Sequence, residues 1–415
     1  MNNAEKWQHT MQVFDEYEKR FAQARQDREW TVPTDEAARE AIIEQTKKVL
    51  AYDEKLVPVI TSMEEISHQD YGTYHVTQLK YETWKNFYVS ASLYIPVGEG
   101  PHPLVFIFCG HGDKGRLTAS YVYMAHRLAK MGFAVMVPDN IGQGDRIHQG
   151  HWYCIAPFYS GLTVQGMIVM ESVALIRYMQ KDPRFDKNRF GSCGNSGAGT
   201  LNLFLAALAP ELSALSSSGY PSQFDYIFEK EKQHCCCNLL PGIMHGPEMW
   251  EICSVFAPKP MLLEQGDLDN LFPNEYARRN ARKIENVYVQ LGAQEKFSFK
   301  LSSAGHSWVV EDRAIISRFL CEALNVPFID VETDEDEAIL KRCKECHVEI
   351  GKDTATAADA AAQLTGIRMP EGTELEDIYP PTYQGRKVLA SEVLEETGRG
   401  STMRVLAQME CALRS

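Results

Sequence analysis

Short, continuously apolar runs separated by stretches of helical spacing constrain this 415-residue chain more than any other feature. The runs are Leu104–Phe108, Phe133–Val137, Arg189–Cys193, Leu215–Ser218, Pro260–Leu263 and Phe297–Leu301. Helical spacing occupies Ser120–Met131, Val164–Met179, Thr200–Leu208, Glu275–Leu291 and Val309–Leu324. A strand that is apolar on both faces must be covered on both faces, which is the condition of a parallel sheet between two helical layers. Ahead of these runs, Tyr88, Ser90, Ser92 and Tyr94 alternate with Val89, Ala91, Leu93 and Ile95, as expected of an antiparallel pair with the preceding segment. The expected class is α/β, with a mostly parallel central sheet and ligands at the carboxyl ends of its strands.

The two ends differ in character. Trp7, Met11, Phe14, Phe21 and Ala24 recur at helical spacing, and a second helix is expected from Thr34 as N-cap to about Leu50. These helices are expected to pack on the main domain or on a partner subunit. After Pro327 comes the acidic run Asp330, Glu332, Asp334, Glu335, Asp336 and Glu337, then an alanine-rich helix near Ala355–Ala362 and a turn at Pro380-Pro381. The division expected is a helical N-terminal extension over 1–72, a catalytic domain over 73–327 and a C-terminal extension over 328–415.

Charge narrows the partners. Lys and Arg number 42 against 56 Asp and Glu, a net charge of −14, which argues against a nucleic-acid partner because phosphate binding needs clustered cations. No apolar run is long enough to span a membrane, and Met1 to Lys19 is interleaved with charges. Eleven cysteines without an export signal are expected to be mostly reduced thiols, in the cytoplasm.

Chemistry concentrates in Arg189 to Thr200, R-F-G-S-C-G-N-S-G-A-G-T. A strand ends, a glycine-rich turn presents Ser196, and a helix begins. A serine on so sharp a turn needs small residues two positions to either side, which Gly194 and Ala198 supply. In strand-turn-helix folds of this kind the order is nucleophile, acid, histidine. The loop after Pro260–Leu263 reads E-Q-G-D-L-D-N-L-F-P, and the loop after Phe297–Leu301 reads S-S-A-G-H-S-W. His306 is therefore the base. Asp269 is preferred as the acid over Asp267, which directly follows Gly266 where aspartate commonly bonds local backbone. Gly197 is expected to supply one backbone N–H of an oxyanion hole, with Gly112 and Asp113 the candidates for the other. His111, Arg146, Trp152, Trp250 and Trp308 fall in loops near the same sheet edge and are candidate substrate contacts.

The stretches P-L-V-F-I-F-C-G-H-G-D-K-G, V-P-D-N-I-G-Q-G-D-R, D-K-N-R-F-G-S-C-G-N-S-G, G-D-L-D-N-L-F-P and A-G-H-S-W together resemble the acetyl xylan esterase and dienelactone-hydrolase-like branch of the α/β-hydrolases. The resemblance covers about Tyr74 to Val326. It implies the α/β-hydrolase fold, a serine esterase, no cofactor, and a triad of Ser196, Asp269 and His306. The family's acid lies in a G-x-x-D-x-x-x-P turn, matched by Gly266, Asp269 and Pro273. Asn140 stands where relatives often have arginine. An acetyl ester of a sugar-like alcohol is implied by the resemblance alone.

Two cysteine patterns compete for attention. Cys235-Cys236-Cys237 beside His234 lacks the spacing that lets cysteines share one tetrahedral ion, so buried thiols and no metal are expected. Cys343-Lys344-Glu345-Cys346-His347 matches the haem-attachment pattern, but the flanking segment is short and polar, and no haem is expected. A peptidase of prolyl-oligopeptidase type would use the same three residues but adds a propeller, for which nothing before Tyr74 is long enough. A non-catalytic scaffold is disfavoured because nucleophile, acid and base stand in fold order. The charged insertion Glu229–Lys232, between Tyr220 and Phe256, suits a small polar ester rather than a long acyl chain.

Overall fold

The structure, a computed structural model, describes residues 19, 22–151, 154–228, 236–238, 240, 242–243, 245–329, 335–373, 382–383 and 386–387. Nine strands form one sheet: β1 (Glu64–Asp70), β2 (Tyr74–Glu82), β3 (Tyr88–Pro96), β4 (His102–Ile107), β5 (Ala134–Pro138), β6 (Phe185–Asn195), β7 (Ala214–Ser218), β8 (Met261–Gly266) and β9 (Phe297–Ser302). Their spatial order is β1-β2-β3-β5-β4-β6-β7-β8-β9. The pairs among β1, β2, β3 and β5 are antiparallel, and every pair from β5 through β4 to β9 is parallel.

Strand alternation sorts side chains into two cores. On β4, Leu104 and Phe106 enter the larger core while Val105 and Ile107 enter the other, and on β5 Ala134 and Met136 part from Val135 and Val137 in the same way. The helices run in chain order α1 (Glu36–Leu50), α2 (Ala119–Lys130), α3 (Ala156–Tyr159), α4 (Val164–Met179), α5 (Gly197–Leu208), α6 (Phe224–Phe228), α7 (Met249–Ser254) and α8 (Asn274–Gln290), and α1, α4, α5 and α8 close the larger core. The smaller core is closed by α2 and α9 (Val310–Ala323). Every residue of α5 is buried, which explains its lack of polar periodicity. Among the described residues no helix is long and apolar enough to cross a membrane.

Both ends bind the sheet domain more closely than the sequence suggests. The first helix expected around Trp7 to Ala24 lies largely outside the described residues, although 22–27 are helical. The cap of α1 is Asp35, whose side chain accepts from the Ala38 N–H, rather than Thr34. Strand β1 belongs to the main sheet, so a boundary at 72/73 would fall between two paired strands. Its exposed, polar residues carry no apolar alternation by which to find it. Beyond the sheet, α10 (Glu337–Arg342) and α11 (Ala357–Thr365) flank a segment that crosses the β2–β3 end. There the Ala355 N–H donates to the Asn86 carbonyl at 2.7 Å, and past α11 the Ile367 carbonyl accepts from the Ser160 hydroxyl, next to α3, at 2.8 Å.

One buried carboxyl pair sets a pH dependence. Glu264 of β8 is hydrogen-bonded to Asp312 of α9; both are buried, and desolvation first, then each other's proximity, raises Glu264 well above the ordinary glutamate range. The folded protein therefore holds a proton that the unfolded chain releases above its ordinary glutamate pKa. Stability from this source is full in acid and lost as pH rises towards the folded value. Replacing Glu264 by Gln is expected to flatten the fall in stability between weakly acid and alkaline pH. Urea midpoints of both proteins across that range measure it, and equal slopes would refute it.

Candidate active site

Strand β6 meets α5 at Ser196, whose backbone sits at φ 61° and ψ −121°. A non-glycine residue there carries strain of order 1–3 kcal/mol, held only where its surroundings fix it. They do so here: the Ser196 N–H donates to the Ser218 carbonyl at 3.0 Å, and the Thr200 N–H donates to the Ser196 carbonyl at 3.0 Å. The turn closes so tightly that a Cβ on Gly194 would lie 2.5 Å from the Ala198 Cβ. The small residues at these two positions are thus a steric requirement.

The loops after β8 and β9 bring two more groups to this hydroxyl. His306 Nε2 lies 2.8 Å from the Ser196 Oγ, and His306 Nδ1 lies 2.7 Å from an Asp269 carboxylate oxygen. A carboxylate only accepts, so Nδ1 bears the proton and Nε2 is left to accept from the serine hydroxyl. The other Asp269 oxygen accepts from the Leu271 and Phe272 N–H groups at 2.8 and 2.9 Å, while Gln265 donates to the first at 2.8 Å. Asp269 is buried, whereas the half-exposed Asp267 bonds Asn274. The Phe272 ring packs on the imidazole at 5.4 Å between centroids.

The opposite wall is the loop after β4, which approaches the turn through Gly110. A Cβ there would lie 2.6 Å from the Asn195 carbonyl oxygen and 3.2 Å from the Ser196 Cβ. The His111 ring touches Gly197, with Nδ1 and Cε1 both 2.7 Å from where a Gly197 Cβ would sit. Burial first, and then the nearby His306, lower His111 to about 4, so it is neutral at neutral pH. The expected oxyanion donors divide here. Gly197 opens α5, where the first N–H groups have no intrahelical acceptor. Gly112 instead donates its N–H to Gln143 at 2.8 Å, and the Asp113 side chain is exposed.

Charges beneath this wall are paired. The fully buried Arg116 donates to Asp139 and to Asp145 (2.7 Å), and to the carbonyl of Cys346. His347 and the Val348 N–H complete the shell of Asp145 at 2.6 and 2.8 Å. The Cys-x-x-Cys-His motif is therefore built into this junction, with Cys343 and Cys346 buried beside Val122 and Ile339.

Arg146 was a candidate substrate contact but is fully buried, in a bidentate pair with Glu171 at 2.7 and 2.9 Å, and so holds the fold. Trp308 is buried too, edge-on to Tyr121 in the smaller core, and Trp250 packs in the larger one. Both are drawn inward because their indoles bury more area than a loop surface offers. Trp152 and Glu229–Lys232 lie outside the described residues. Two more groups line the site beside His111: His151, unforeseen in the sequence, whose Nε2 is 2.8 Å from His111 Nε2, and Cys237, which is disulfide-bonded and not the buried thiol expected. Among the described residues, seven other cysteines take part in no disulfide.

A parallel sheet with a serine on a strand-to-helix turn, followed in order by an aspartate and a histidine loop, defines an α/β-hydrolase. Residues 52–235 match the model of the acetyl xylan esterase (AXE1) family, and this likeness supports a carboxylic ester hydrolase. The curated protein "Putative hydrolase YtaP" of Bacillus subtilis (strain 168) is 27% identical over 237 residues, spanning 54% of this chain and 79% of that protein. Methylesterase BT1017 superposes with a TM-score of 0.60 at 18% identity, covering 92% of this chain and 78% of its own. A glucuronoyl esterase from Teredinibacter turnerae gives 0.54 at 13% identity, covering 69% and 84%. At these identities the structural likeness is one of fold.

Arg116→Met would leave Asp139 and Asp145 buried without their cation. It is expected to lower the unfolding free energy by about 3–5 kcal/mol. Denaturant titration of variant and parent measures this, and a loss within 1 kcal/mol, roughly the scale of a surface pair, would show the pair to be marginal.

Proposed function

We propose that the chain hydrolyses a small carboxylic ester of a carbohydrate-type alcohol through an acyl-enzyme on Ser196. The observation that carries this reading is the unbroken hydrogen-bond series from Asp269 through His306 to Ser196, at 2.7 and 2.8 Å. His306 Nε2 takes the hydroxyl proton as Oγ attacks the ester carbonyl, and Asp269 stabilises the imidazolium. His306 returns the proton to the departing alcohol, then deprotonates the water that frees the acid. The Gly197 N–H, which opens α5 directly after Ser196, is the backbone donor offered to the developing oxyanion, while the Gly110 N–H is engaged by the Tyr121 hydroxyl at 2.7 Å. The names of the related proteins (acetyl xylan, methyl and glucuronoyl esterases) support a small substrate group on a sugar-like partner.

Ser196→Ala is expected to abolish hydrolysis with the fold intact, and a fluorophosphonate should label only the parent protein. Labelling that persists in the variant would show another nucleophile. Asp269→Asn should cost ~10⁴-fold in turnover, as neutralising a triad carboxylate does, while Asp267→Asn should be mild; the reverse order would move the acid. Across 4-nitrophenyl acetate, butyrate and octanoate, kcat/KM should fall. A steady rise with chain length would favour a lipase-like activity.

A further inference from the structure

Three side chains from distant parts of the chain converge beside the serine turn: His111 after β4, His151 at the end of the loop after β5, and Cys237 in the insertion after β7. We propose that they form a redox-gated site for a soft divalent cation of the zinc class, closed while Cys237 is in its disulfide and open when that bond is reduced.

The geometry is close to what such an ion demands. Imidazole nitrogens bind zinc at about 2.0–2.1 Å and thiolate at about 2.3 Å, so tetrahedral edges measure about 3.3 Å between nitrogens and about 3.6 Å between sulfur and nitrogen. The Cys237 Sγ is 3.5 Å from His111 Nε2, and the two Nε2 atoms are 2.8 Å apart. The imidazoles therefore part by about 0.5 Å to admit the ion. All three donor atoms lie within 4.8 Å of one another, and the rings meet at 67°, each directing Nε2 inward.

The surroundings are those of a ligand set. His151 Nδ1 lies 2.9 Å from the Ile141 carbonyl oxygen, which fixes the proton there and turns the Nε2 lone pair to the cluster, the outer-shell bond that orients metal-binding histidines. Asn238 directs its amide at the Cys237 sulfur at 3.6 Å and is itself held by the Tyr220 hydroxyl at 2.7 Å. His151 and Cys237 are buried, which shields the cluster from bulk water. Two histidines and one cysteine with an open position suit zinc rather than calcium or magnesium, which prefer oxygen.

Redox state decides because one sulfur cannot serve both bonds. A dithiol opens the Cys237 disulfide by exchange: it gives up two electrons and two protons, becomes a cyclic disulfide, and leaves two thiols on the protein. Cys237 then loses its proton as the sulfur binds the cation.

Cobalt(II) reports such a site optically. Full-length protein, reduced with a dithiol and freed of it under nitrogen, should take up one equivalent with a thiolate-to-cobalt charge-transfer band, bleached by zinc. The air-oxidised protein should show no band. Cys237→Ser should lose the band, His151→Ala should weaken binding at least about tenfold, and Cys343→Ser should behave as the parent. Circular dichroism checks that each variant folds. No band in the reduced parent, a band of equal strength in the oxidised parent, or one that survives Cys237→Ser would each overturn the proposal. The parent comparison and Cys237→Ser decide even if His151→Ala does not fold.

Discussion

The left-handed backbone at Ser196 is the constraint to which the rest of the structure answers. A residue held at φ 61° reverts to a relaxed turn unless both flanking elements are fixed, and here both are buried. Strand β6 runs between β4 and β7 near the middle of the sheet, and α5 is covered along its whole length. Central placement of β6 also sets the reach of the other groups. The loops after β8 and β9, to one side, deliver Asp269 and His306, and the loop after β4, on the other, delivers Gly110 and His111. Two sheet-borne walls thus meet over a hydroxyl that the turn holds outward.

The elements carrying that arrangement were legible because their signals are local. The six apolar runs all lie within strands or overlap them closely, and Val164–Met179 is reproduced without change. Ser196, His306 and Asp269 stood out because a turn composition and a fixed chain order mark them, and the structure brings all three into contact. What escaped was decided by distant partners. Arg146 looks like a substrate clamp until Glu171, on another element, is seen to occupy it. Gly112 looks like an oxyanion donor until Gln143, in a separate loop, takes its N–H. No spacing along the chain announces that His111, His151 and Cys237 meet.

Buried charge organises the ground beneath the site. Arg116 and Arg146 have no exposed side-chain surface, and each is matched by carboxylates at bonding distance, which is the condition for keeping a guanidinium out of water. Both pairs converge on Asp139: Arg116 through its carboxylate and Arg146 through its carbonyl. The loops after β4 and β5 are therefore fixed from below by ions, while their upper faces stay available for chemistry.

The bond from Arg116 to the Cys346 carbonyl joins residues 230 positions apart. A ribosome delivers the serine turn, the aspartate loop and the histidine loop before it delivers this carbonyl. During synthesis the sheet can assemble around Ser196 while the ionic floor under His111 still lacks one of its acceptors. The last step in maturing this site is therefore written in chain order: the segment around Cys346–Val348 arrives after every reacting group and settles the loop that faces them.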